Sequence, residues 1–110
     1  MAESQLRKGA IELVILGLLD ARPSYGGELL ERLESEAGLE VSSGTVYPLL
    51  SRLRKSSLVA TAWEESPVGP PRKVYELSPA GRERLALLRS EWDLLSAAVS
   101  RSSVSKGLEK

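Results

Sequence analysis

Near the middle of the chain, "SPVGPP" at residues 66–71 limits the fold more than any other stretch. Prolines and a glycine packed this densely can neither continue a helix nor sit inside a strand ladder, so they form a loop. On either side lie "LVATAWEE" and "RKVYEL", short segments with strand-forming residues. They predict two antiparallel strands joined as a hairpin with an extended tip. Most of the remaining chain has helical spacing, so the fold class is mainly α with a small β-hairpin.

Residues 5–19 place Leu6, Ala10, Leu13, Val14, Gly17 and Leu18 at helical intervals, with enough further aliphatic content to predict a nearly buried helix. Pro23 stops it. Ser24 is then the expected N-cap of a second helix, with Leu29, Leu30, Leu33 and Ala37 facing inward, the glutamates facing solvent and Gly38 closing it. A third helix runs from about Ser43 to Ser56, its inner face set by Val46, Leu49, Leu50 and Leu53. Ser78 and Pro79 form an N-cap followed by a first-turn proline, and open a fourth helix through about Ser100.

Along that last helix Leu85, Leu88, Trp92, Leu95 and Val99 alternate by three and four, as in a coiled-coil seam. A single domain has no reason to display such a row unless something covers it, so the seam predicts a homodimer. The organisation expected is a unit over 5–77, a dimerisation helix over 78–100 and a tail over 101–110. The tail has little to bury and is expected to be disordered. No internal repeat is visible.

A chain of 110 residues makes one modest domain. With no cysteine and no histidine, it lacks disulfides, thiolate nucleophiles, imidazole bases and the usual zinc ligands. An enzyme is therefore the least favoured class, and neither a metal nor a cofactor is expected. The apolar run "AIELVILGLL" is far too short for a membrane span and carries Glu12; without a cleavable signal before it, the chain is expected to be soluble and cytoplasmic.

Net charge is zero, so any nucleic-acid reading rests on where the charges sit. Glu28, Glu31, Glu34, Glu36 and Glu40 gather around the second helix, with Arg32 among them. The span 41–62 holds Arg52, Arg54 and Lys55 and no acid.

Three helices followed by a hairpin is the order of a winged helix-turn-helix, whose third helix enters the major groove while the hairpin flanks it. At 100° per residue, the face opposite the apolar stripe of the third helix is Gly44, Pro48, Ser51 and Lys55. Thr45 and Arg52 line one shoulder, Tyr47 and Arg54 the other, and all can donate to phosphates or base edges. Arg72 and Lys73 sit at the base of the hairpin loop, and Arg7 and Lys8 make a third cationic pair. Basic residues opposite an apolar stripe are also what an ordinary solvated face looks like; the lack of any nearby acid favours DNA.

The segments "ELVILGLLDARPSYGGELLERL", "VSSGTVYPLLSRLRKSSLV" and "GPPRKVYELSPAGRERLALLRSEW" resemble the PadR family of transcriptional regulators, in the family's order and spacing. With one helix after the wing, the chain resembles the short branch of that family. The resemblance implies a homodimeric repressor bound to a palindromic operator in double-stranded DNA and released by a small-molecule effector. It puts Tyr25, Ser43, Thr45, Tyr47 and Arg52 on DNA-facing positions, with Arg72 and Lys73 in the wing. Ser43 stands where the family often has an acid, which bears on the bases read and not on the binding mode.

Trp92 has two readings. It can be a large apolar knob in the dimer seam. In the family it resembles, a tryptophan at the "EW" position faces its symmetry mate across a pore and stacks on planar aromatic ligands. Leu88, Trp92 and Ser96 of the fourth helix, with Gln5, Gly9 and Glu12 of the first, would then line the effector site. Glu12, a lone charge in an apolar stretch, needs a partner: Lys8 one turn back is favoured over a cationic ligand. The competing reading of the whole chain is a winged-helix module that docks a basic protein through its acidic second helix without touching DNA.

Overall fold

Ser4 begins the part of the chain that the computed structural model describes, residues 4–108. Its Oγ accepts the Arg7 N–H at 3.0 Å, satisfying one of the donors a helix start leaves free. The helix it caps, α1, spans Gln5–Ala21 and buries Ile11, Ile15, Leu16 and Leu19 at the centre of the core. It ends as Arg22 turns extended, the conformation favoured ahead of a proline.

Ser24 does not cap the second helix. Ser24–Tyr25 is instead a short strand, β1, and α2 spans Gly26–Ser35 with Tyr25 in the cap position and no side-chain cap bond. The reason lies in Arg32, which the sequence shows only as one charge among the glutamates and which is 3% exposed. A buried guanidinium needs acceptors. It donates to Ser24 Oγ at 2.8 Å and to the Glu36 carboxylate at 2.9 and 3.2 Å, so the serine hydroxyl is taken. Ala37, expected on the inward stripe, lies beyond the helix and is exposed.

Helix α3, Ser43–Lys55, buries the expected Val46, Leu49, Leu50 and Leu53. Pro48 sits inside it and removes the bond that its N–H would make to the preceding turn. At the C-terminus Ser57 adopts φ 61°. Leu58 N–H donates to Leu53 O at 2.9 Å and Ser57 N–H to Arg54 O at 3.0 Å, the paired bonds of a Schellman closure with serine where glycine is usual.

Strands β2 (Val59–Glu64) and β3 (Arg72–Leu77) pair from Val59 opposite Leu77 to Glu64 opposite Arg72. The sheet has three strands, in the order β1-β3-β2, where the sequence suggested two; Ser24 and Tyr25 lie opposite Tyr75 and Val74. A two-residue strand has no periodicity to read, and its pairing is decided by where α1 delivers the chain.

Ser78 caps α4 as expected, accepting the Gly81 N–H at 3.0 Å while donating to Ser57 O at 2.7 Å. Gly81 is required there, because a Cβ would overlap Leu58 O and the Leu77 side chain. Helix α4 spans Pro79–Leu108, well past the expected end at Ser100, so 101–108 is helical where a disordered tail was expected; 109–110 lie outside the described residues. Once nucleated, a helix gains one bond per added residue, and no proline interrupts this stretch. At 1.5 Å per residue the 30-residue α4 is about 45 Å long, against a longest dimension of 64 Å for the molecule.

Leu85 leaves the proposed seam: it is 3% exposed and belongs to the core, because the first turns of α4 cross α1 and β3. Leu88 is half-buried against that core, whereas Trp92, Leu95 and Val99 are 46%, 54% and 68% exposed. No helix among the described residues is long and apolar enough to cross a membrane.

Candidate nucleic-acid interface

Burial of the α3 stripe turns the opposite face outward, with Ser43, Ser51 and Lys55 exposed and Thr45 half-buried. Thr45 Oγ1 lies 3.4 Å from Ser42 Oγ, a contact within the first turn. Tyr47 is 44% exposed and its ring lies over the start of α2, where a Cβ on Gly26 would come within 2.8 Å of the ring carbon Cζ and of the hydroxyl. The glycine in "SYGG" thus makes room for the tyrosine in "TVYP", and α2 and α3 meet closely at this corner.

Two of the basic residues on α3 are tied down. Arg54 Nε donates to Thr61 Oγ1 on β2 at 3.1 Å, joining the helix to the wing. Arg52 Nη2 donates to Glu12 Oε1 on α1 at 3.1 Å. Glu12 therefore pairs with Arg52, not with Lys8 one turn back. At 100° per residue Gln5, Lys8 and Glu12 share a face of α1, and these residues line a groove of about 760 Å³ between α1 and α3, together with Gly44, Thr45, Pro48 and Arg52.

At the wing, the Arg72 guanidinium lies 4.3 Å from the centroid of the Tyr25 ring, a cation–π stack. It also stands 4.0 Å from Glu64, its cross-strand partner, and its Nε is buried without a hydrogen bond among the described residues. Lys73 Nζ lies 5.7 Å from the ring of Trp63, directly opposite it in the ladder. Trp63 is 71% exposed. Sequence reasoning missed Trp63 and Glu64 as neighbours of the wing cations; strand register carries that information, and it was readable only once the loop length was known.

Ser43, Tyr47 and Lys55 are thus exposed on α3 and Thr45 is half-buried on the shoulder opposite Tyr47, with Arg72 stacked on Tyr25 and Lys73 beside Trp63 on the wing. Arg52 is turned toward α1. The sequence profile of the Transcriptional regulator PadR-like family matches residues 15–87. The chain belongs to the PadR-like family. Among curated proteins this PadR-like chain is similar to the transcriptional regulator Rv3488 of Mycobacterium tuberculosis, 37% identical over 74% of each chain. Among solved structures it is similar to a transcriptional regulator from Streptococcus, with 38% identity, a TM-score of 0.83 and coverage of 92% of this chain and 99% of that one. It is also similar to a PadR-like transcriptional regulator from Bacillus cereus, with 35% identity, a TM-score of 0.78 and coverage of 89% and 95%. The winged helix seen here is the PadR-like fold, and the chain is a DNA-binding transcriptional regulator, not an enzyme.

A second cleft, of about 470 Å³, separates α1 from α4. It takes in Gln5, Gly9, Leu88, Trp92 and Ser96 of the expected effector site. Glu12 is not among its walls. The Leu6, Ala10 and Leu13 side of α1 faces α4, which turns Glu12 toward α3 and leaves Gln5 and Gly9 at the border of both clefts.

Proposed function

We propose that this PadR-like regulator is a homodimeric repressor that reads a palindromic operator with α3 and is released by a small molecule held between α1 and α4. The observation that carries the reading is the outward face of α3. Lys55, Ser43 and Tyr47 offer hydrogen-bond donors to solvent, with Thr45 on the shoulder opposite Tyr47; the wing carries Arg72 and Lys73, and Tyr25 backs the wing cation. Donors on a helix of this size fit the major groove, and wing cations fit the neighbouring phosphates. Arg52 enters this surface only by leaving Glu12.

Support for a dimer comes from the overhanging half of α4, where Leu88, Trp92, Leu95 and Val99 form an apolar stripe whose exposure rises from Leu88, packed against the core, to Val99 at 68%. Two such chains related by a two-fold axis would set their α3 helices on successive major grooves, about 34 Å apart, and so require a palindrome. The effector reading is supported by the mostly apolar lining of the α1–α4 cleft around Trp92, a surface suited to a planar aromatic ligand.

The test is DNA selection from a random library with the purified chain, followed by titration of the selected duplex against salt. A log–log slope of about −0.9 per phosphate contact is expected; a flat slope would sink the reading. Sedimentation of the same sample reports the dimer. Quenching of tryptophan emission by planar cations, lost in Trp92→Leu, reports the effector cleft.

A further inference from the structure

Glu12 on α1 is a carboxylate held against the helix assigned to DNA. Its side chain is 15% exposed, while that of Arg52, with which it pairs at 3.1 Å, is 63% exposed. Gly9 on α1 and Gly44 and Pro48 on α3 wall the groove around the pair, and these compact residues leave the guanidinium room to move. We propose that Glu12 is a specificity-determining residue, which withholds Arg52 from the phosphates of arbitrary DNA and yields it to a base pair that offers two acceptors. The proposal rests on the reading of α3 as the DNA-facing helix.

An unpaired arginine on that face would strengthen binding to every duplex alike, because phosphates occur at every step. Paired, it behaves differently. Moving Arg52 from Glu12 to a single phosphate exchanges one charge-assisted bond for another and leaves a largely buried carboxylate without its cation beside a polyanion. Moving it to a guanine edge makes two bonds, to O6 and N7, in place of one. Either move uncovers the Glu12 carboxylate; two bonds to a matching base offset that cost, and one bond to a bare phosphate does not. Discrimination arises by weakening the wrong complex.

Glu12→Gln keeps the shape and an acceptor oxygen and removes the charge. The experiment measures full-chain binding, by fluorescence anisotropy, to a mixed-sequence duplex and to the duplex selected by the wild-type chain. In Glu12→Gln, affinity for the mixed duplex should rise and its salt slope should steepen by about 0.9 per protomer, roughly a threefold larger change over a fourfold range of salt. The ratio of selected to mixed affinity should fall. Arg52→Gln, alone or added to Glu12→Gln, should show none of these gains and should weaken the selected duplex more than the mixed one.

An unchanged mixed-duplex affinity and slope in Glu12→Gln, with melting and sedimentation like the wild type, would overturn the proposal while leaving the DNA reading intact. So would equal loss on both duplexes in Arg52→Gln. A wild-type chain that binds neither duplex would overturn both.

Discussion

Arg32 shows how one side chain can reorganise what its neighbours do. Buried at 3% exposure, it ties Ser24 on β1 to Glu36 at the end of α2. Arg32→Ala would strand the serine hydroxyl and remove charged hydrogen bonds, and should cost about 2 kcal/mol, read as a lower denaturant midpoint. The hydrogen bond from Arg32, followed by the charges of Arg32 and Arg22, holds the Glu36 carboxyl below its ordinary range. A depressed acid stabilises the folded state above its unfolded pKa and loses that contribution as pH falls through the folded one. Glu36→Gln should therefore lower stability at neutral pH and flatten the decline between neutral and acid pH, measured as melting temperature against pH. In the sequence Arg32 looked like one charge among glutamates; its burial follows from the approach of β1, which local spacing does not encode.

The helices were largely legible, and their ends were not. Val46, Leu49, Leu50 and Leu53 mark the inner face of α3 because a 3.6-residue period is written locally. The closure of that helix is different. Ser57 takes a left-handed conformation that costs an L-residue with a side chain about 1 kcal/mol. It is held there by the Leu58-to-Leu53 bond and by the Ser78 hydroxyl on its carbonyl. Ser57→Gly should raise stability by about 0.5–1 kcal/mol, seen as a higher melting temperature with DNA affinity unchanged. Helix α4 outran its expected end because low burial says little about whether a helix stops, whereas an explicit breaker would. Ser78 and Pro79 at its other end were readable for the opposite reason: capping is a local hydrogen bond between near neighbours.

For the molecule as a whole, the overhanging half of α4 is the feature on which assembly turns. In the proposed dimer, Leu95→Glu sets a charge into an apolar seam and should shift the chain to monomers in sedimentation, with operator affinity falling by more than tenfold as the second half-site is lost. Tyr47→Ala should lose operator binding while remaining dimeric, which separates the two surfaces. By itself the sequence determined the order of the four helices and the hairpin around "SPVGPP", the buried stripe of α3 and the family resemblance that the profile match bears out. Each of these depends on residues within a turn or two of one another, or on motifs in fixed order. Only the tertiary structure decided that Ser24 joins the sheet, that Leu85 belongs to the core, and that Glu12 pairs with Arg52 across forty positions of chain. Those outcomes depend on which faces of distant elements are pressed together. A face buried from solvent must find its partners wherever the packing puts them, and that is a property of the assembled core rather than of any local run of residues.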